Sequence, residues 1–337
     1  MATSTAPEYI QDGLQTEEQL GSMLSLQLDV VWPLELPTLE PLLLPRPAIA
    51  AGTPSPPLKV LDVGCGQGAW AARVAERFEG TMVMGVDLEE GNIAAARRAA
   101  AASPAASRLE FGVANAYALC GAGAGIEDGG DAAGVGGGAV ASAATTTTTT
   151  IVPGTFDVAA CRSMLYTVPH PGAVVAQLLQ ALRPEGGVAH FFCEDYGAVH
   201  ARPTRADDAR FWRDGPCTAL RSQQCEPHMG RSIHGIATDA ARALGLRARV
   251  SVTHVPICSV PGARTPAAEE ARTRETMARV FETWQDYAPF IAENSGIGEV
   301  EARAHFADIS AACRDPAGYV LWLCTVCEVR LDGYIDD

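Results

Sequence analysis

The chain has 337 residues, 47% of them hydrophobic and 19% charged, and its 40 acids against 25 bases give a formal net charge of −15. That length supports a sizeable core in one large domain or two small ones. The 33 glycines follow no three-residue period and ten cysteines are too sparse for a disulfide scaffold, so collagen-like and disulfide-built classes are excluded.

The N-terminus has no positively charged leader before an apolar segment, and no uninterrupted apolar run approaches the roughly 20 residues of a membrane helix. The expectation is a cytoplasmic protein with reduced thiols and no membrane partner. The acidic balance argues against nucleic acid, whose phosphates are met by clustered Lys and Arg. The first basic residue is Arg46. Before it, TEEQLGSMLSLQLDVV (16–31) opens with a Thr and two Glu and spaces apolar residues three or four apart, which predicts a helix. The prolines between Pro33 and Pro57 predict a connector and no continuous helix. Residues 1–57 are thus expected to form a helical cap and a Pro-rich connector.

From Leu58 onward, apolar runs alternate with helical patterns, the signature of an α/β sheet with mostly parallel strands. Strands are expected at 59–63, 81–86, 109–114, 156–160 and 188–193, with helices at 69–78, 92–102 and 173–182. Residues 119–154 are dominated by Gly, Ala and Thr and contain no Lys, Arg or aromatic residue, so a disordered surface insertion is expected there. A polar loop at 196–229, a helix at 232–244, a strand at 247–260, lid helices around 262–316 and a closing strand at 319–331 complete the reading.

The chemistry concentrates in KVLDVGCGQGAW (59–70), where a strand ends at Asp62 and Gly64, Gly66 and Gly68 turn the chain into a helix. Glycine lets the backbone adopt positive φ and approach a ligand closely. Such a turn also passes for a dinucleotide fingerprint. Asp87 ends the second strand, where a carboxylate can accept hydrogen bonds from ribose hydroxyls, a feature shared with NAD enzymes. The absence of a basic residue at the turn, and the position of Asp62 two residues before Gly64, favour an amino group over a pyrophosphate.

The block resembles motif I of the class I S-adenosylmethionine-dependent methyltransferases, and FDVAACRSMLYTVPHPGAVVAQLLQALRPEGG (156–187) resembles their motifs IV and V. The resemblance covers about residues 58–195, interrupted by the insertion. It implies a Rossmann-like α/β fold over 58–337: a seven-stranded mixed sheet, its last strand antiparallel, with helices on both faces and helical lid elements. It implies S-adenosyl-L-methionine as cofactor, held by Asp62, Gly64, Cys65, Gly66, Gly68, Asp87, Leu88, Asn115, Ala116, Cys161 and Arg162. Asn115 stands where the family usually has Asp. Asp157 reads equally as a strand-edge carboxylate or a cofactor contact.

A sulfonium methyl is already activated, so the protein mainly aligns and desolvates, adding a base only if the acceptor must lose a proton. Candidates for handling the acceptor follow strand tips: Tyr166, His170, Glu194 and His200. Glu194 and Asp195 together could bind a cationic group or simply begin a solvated loop. Arg231 could bind an acidic group or cap a helix. Trp212, Trp284, Tyr287 and Phe290 could line an acceptor pocket, although core packing explains them too. No metal site is expected: Cys217, Cys225, His228 and His234 lack paired short-range spacing, and Cys324 and Cys327 fall on opposite faces of a strand. The resulting expectation is transfer of a methyl group to an oxygen or nitrogen of a small molecule. An NAD-dependent oxidoreductase and a non-catalytic methyltransferase-like scaffold are the alternatives.

Overall fold

A computed structural model describes residues 17–44, 56–121, 148–259 and 267–335. Its chain order is α1 (Glu17–Leu43), β1 (Leu58–Val63), α2 (Ala69–Arg77), β2 (Thr81–Asp87), α3 (Glu90–Ala101), β3 (Leu109–Val113), β4 (Val158–Arg162), α4 (Pro171–Ala181) and β5 (Glu185–Arg202). Then follow α5 (Asp208–Asp214), α6 (Pro216–Ser222), α7 (Met229–Ala243), β6 (Leu246–Ser259), α8 (Ala267–Thr283), α9 (Ala288–Asn294), α10 (Glu299–Arg314) and β7 (Tyr319–Tyr334). The seven strands form one sheet in the order β3-β2-β1-β4-β5-β7-β6. Strands β1 to β5 pair in parallel, and β7 runs antiparallel between β5 and β6. This is the expected mixed seven-stranded sheet.

Period-two alternation divides the core. On one face Val60, Val83 and Phe111 pack with Trp70 of α2 and Leu39 of α1. On the other Leu61, Val86 and Phe191 pack with α4 and α7. A third cluster, built on Phe192, Trp322 and Val326, joins the distal half of β5 and β7 to α8 and α10. Helix α1 reaches two of these clusters, through Met23 and Val30 in one and Leu39 and Leu43 in the other.

Three expectations are corrected. The Pro-rich segment is helical to Leu43, with Pro33, Pro37 and Pro41 inside α1. Spaced four apart, all three prolines are exposed, so the carbonyls they leave unbonded lie on the solvent side. Burial of Leu39, Leu42 and Leu43 opposite them, roughly 1.5 to 3 kcal/mol each, offsets the lost bonds. Second, β4 begins two residues later than expected and includes Cys161 and Arg162. Third, the segment read as a polar loop contains the end of β5 and the helices α5 and α6. The extension of β5 pairs with β7, a long-range partner that local pattern does not reveal.

The insertion lies mostly outside the described residues. Its flanks meet: Ile151 N donates to Leu119 O at 2.8 Å, and Thr149 N to Val113 O at 2.7 Å. Ile151, read as part of the insertion, is buried in the core.

Candidate functional site

The glycine turn stands at the carboxyl edge of the sheet, the place where α/β folds collect ligands. Gly64, Gly66 and Gly68 all have positive φ, at 71°, 52° and 79°. A Cβ on Gly68 would lie 2.7 Å from the Phe111 ring, so both conformation and space demand glycine there. Gly66 N donates to Asp87 Oδ2 at 2.8 Å, while Asp87 Oδ1 accepts from Glu89 N at 3.0 Å. The turn and the tip of β2 therefore hold each other in place.

Two adjoining compartments open around this turn. The first lies between β2 and β3 and is lined by Asp87, Leu88, Asn115, Ala116 and Tyr117, with Met164 from the loop after β4. Leu88 is exposed, available to pack on a flat ligand. Asn115 Oδ1 accepts from Tyr117 N at 2.9 Å, which leaves its Nδ2 as the group able to donate to a ligand. The second compartment is bounded by α1 on one side and by Asp62, Cys65, Arg162 and Glu194 on the other. Gly64, Gly66, Leu24, Arg162 and Ser163 border both.

The second compartment holds buried charge. Burial pushes the Asp62 carboxyl up to about 7 despite the nearby Arg162, and Asp62 Oδ2 has no hydrogen-bond partner among the described residues. Glu194 is alike: burial pushes it up to about 7 against hydrogen bonding from Ser163, and its Oε2 is unpartnered among the described residues. Burial also drives the Cys65 thiol well above its ordinary range, so it remains a neutral wall.

Beyond Gln27 of α1, which borders the second compartment, lies an aromatic cavity. Tyr166, Tyr196, Trp212, Trp284, Tyr287 and Phe306 form its walls. Tyr196 stacks on Trp212 with centroids 6.1 Å apart, and Tyr166 meets Tyr196 edge-on at 5.0 Å. The Tyr196 phenol is pushed far up by burial, with Tyr166 and Glu194 adding to the effect. Trp212 and Trp284 serve both expected roles, since they belong to the core and line the cavity.

Several expected residues lie elsewhere. Cys161 faces the cluster under α4 with no exposure, because in β4 its side chain alternates away from that of Arg162. His170 is an exposed N-cap residue of α4 and borders none of the three spaces. His200 is an exposed residue of β5, with Nδ1 3.6 Å from Asp208. Asp195 is not available to bind a ligand beside Glu194: it accepts from Arg231 Nε at 2.5 Å and from His228 Nδ1 at 3.1 Å, which also accounts for Arg231. Asp157 is structural, bound to Lys59 N at 2.9 Å and Arg183 Nη1 at 2.8 Å. Cys324 and Cys327 are buried in separate clusters on opposite faces of β7.

Sequence reasoning missed Glu35 and His190. Glu35 of α1 has no exposure, and both its carboxylate oxygens accept from Arg162 Nε, at 2.7 and 3.0 Å. His190 Nε2 lies 3.0 Å from Glu35 Oε1, and its ring is equally buried. The signal was an acid four residues after the buried Val31 and four before the buried Leu39, on the apolar face once that run is helical, where it demands a buried partner.

The family described as "methyltransferase domain" matches residues 39–240. A ubiquinone biosynthesis O-methyltransferase of Pseudomonas aeruginosa is 32% identical over 130 residues, covering 39% of this chain and 42% of that protein. A methyltransferase of Strobilurus tenacellus, str3, is 22% identical over 207 residues, 61% of this chain and 59% of its own. The chain thus spans less than two thirds of the length of these curated relatives. Among solved structures, phosphoethanolamine N-methyltransferase 2 of Haemonchus contortus, in complex with phosphomonomethylethanolamine and S-adenosylhomocysteine, aligns with a TM-score of 0.50. It is 15% identical and covers 98% of this chain and 61% of that one.

Proposed function

The chain belongs to the class I S-adenosylmethionine-dependent methyltransferases, and from that premise we propose that it methylates an oxygen or nitrogen of a small molecule held in the aromatic cavity. The observation that carries this reading is the succession of three neighbouring spaces, the compartment at Asp87 sharing Gly64, Gly66 and Arg162 with that at Asp62, and the latter sharing Gln27 with the aromatic cavity. The unpartnered Asp62 Oδ2 fits the ammonium of an amino-acid cofactor, and Asp87 stands where ribose hydroxyls would meet it. Bound S-adenosylmethionine supplies an activated methyl whose leaving group is a neutral thioether.

The chain's own residues then align and desolvate. The aromatic walls exclude water from the acceptor, and Tyr166 with Tyr196 gives its reacting atom a hydroxyl to bond. Glu194, near Tyr196, takes the proton that a hydroxyl acceptor must lose. The O-methyltransferase relatives support an oxygen acceptor, and the uncharged cavity supports one with an apolar or aromatic body. In this reading 58–337 is the methyltransferase domain, α1 within 1–57 is its cap, and the helices around 262–316 are its lid. No helix among the described residues is long and apolar enough to cross a membrane, and a cytoplasmic location belongs to the same proposal.

Isothermal titration with S-adenosylhomocysteine and with NADH tests the reading. Binding of the first, lost in Asp87→Ala, is expected; NADH binding without S-adenosylhomocysteine binding overturns it. A radiolabelled methyl donor offered with a panel of small phenols and amines separates an enzyme from a scaffold, which would bind the donor and label nothing.

A further inference from the structure

Helix α1 carries one buried ionised side chain into the body of the protein, and it lands on a residue of the cleft. Glu35 receives Arg162 Nε on both carboxylate oxygens and rests against His190 of β5. Arg162 lines both cofactor compartments, and its guanidinium lies over the rings of Phe192 and Trp70, 5.1 and 5.8 Å from their centroids. The same helix walls the second compartment with Gly21, Leu24, Gln27 and Val31. Arg162 is therefore anchored from the α1 side through Nε, among the carboxylates of Asp62 and Glu194, which Glu35 also influences.

We propose that Glu35 is a positioning residue: it orients Arg162 to hold the carboxylate of the cofactor's amino-acid moiety, so that capture of that moiety depends on α1 being docked. The proposal rests on the cleft taking an S-adenosyl cofactor. Arg162 borders the nucleoside compartment too, but the polar side chains that would meet a nucleoside there, Asp87 and Asn115, stand at the tips of β2 and β3, and Leu24 is the contribution from α1. Loss of Glu35 should thus be felt at one end of the cofactor and not at the other.

Charge around the pair supports the same division of labour. Burial alone would push the Glu35 carboxyl up, yet Arg162 and His190 hold it below its usual value. His190 is raised in turn: burial lowers it, but Glu328 of β7 and Glu35 outweigh that. A buried carboxylate so paired keeps a fixed geometry, because breaking either bond strands a charge away from water.

The test uses the full chain and two probes, S-adenosylhomocysteine and 5′-methylthioadenosine, which keeps the nucleoside and lacks the amino-acid part. In Glu35→Gln the dissociation constant for the first should rise about tenfold or more while that for the second stays within about twofold. Arg162→Met should show the same selective loss, and the double variant should bind no worse than Arg162→Met alone. Should Glu35→Gln fail to fold by circular dichroism, Glu35→Asp keeps the charge, withdraws it by one methylene, and should show the same selectivity. Equal loss for both probes, no loss, or additive effects in the double variant overturn the proposal. Failure of the unaltered protein to bind either probe instead overturns the cofactor reading beneath it.

Discussion

The wall facing the proposed cofactor and the wall facing the proposed acceptor are made of different material. The first is backbone and strand tips: three positive-φ glycines, Asp62 at the end of β1 and Asp87 at the end of β2. The second consists of side chains gathered from α1, the loop after β4, β5, α5, α6, α9, α10 and the turn between α8 and α9. A wall of backbone tolerates almost no substitution and varies little in shape. A wall of large side chains can be recut one residue at a time, so specificity can change there without disturbing cofactor binding.

The contrast makes unequal predictions. Gly68→Ala should cut S-adenosylhomocysteine affinity about 100-fold, since positive φ costs a residue with a Cβ roughly 1 to 2 kcal/mol and the added carbon meets the Phe111 ring at 2.7 Å. Titration calorimetry checks it, and unchanged affinity would break the idea that backbone forms that wall. Trp284→Ala should cost about 3 kcal/mol of stability in urea unfolding, because that ring contacts Tyr196, Trp212, Phe281 and Trp322. It should also abolish acceptor turnover while S-adenosylhomocysteine affinity changes less than about threefold.

Two smaller effects sharpen the comparison through pH. Glu194, pushed up to about 7, accepts a proton only as the carboxylate, so kcat/KM should rise with pH through that value and Glu194→Gln should flatten the rise. Asp62, also at about 7, binds its proton more tightly folded than unfolded. Stability is thereby lost as pH climbs from the usual carboxyl range through about 7. Asp62→Asn should raise Tm at alkaline pH by a few degrees, measured calorimetrically, even as it weakens cofactor binding. The smallest effect belongs to Arg183→Ala, which removes a half-exposed partner from Asp157 far from either wall: about 0.5 kcal/mol, with S-adenosylhomocysteine affinity unchanged.

The same contrast governs what the sequence made legible. The strands and helices of 58–195 and the glycine turn follow from local pattern, because a strand, a tight turn and a helix occupy adjacent residues and each demands its own residue types; the strand order, set by long-range pairing, does not. The acceptor wall is built from residues between Gln27 and Phe306, brought together by packing alone, so Trp212 and Trp284 could be named but not placed. His170 and His200 were misplaced for a related reason: nearness in sequence to a strand tip does not fix which way a side chain points. Cys161 failed because moving β4 by two residues brought it inside a strand, where alternation turned it from the cleft. Glu35 escaped notice because proline content argued against a helix, while the four-residue spacing of Pro33, Pro37 and Pro41 argued for one with a single solvent face.

The backbone bond between Leu119 and Ile151 has an evolutionary meaning. The chain leaves the sheet and returns to it at one neck, so the ends of whatever lies between these residues are already fixed by the fold. For a flexible connection so fixed, doubling its length costs only about 0.6 kcal/mol. The length at this neck can therefore drift over generations with almost no selection from folding, while the residues on either side stay locked into the sheet.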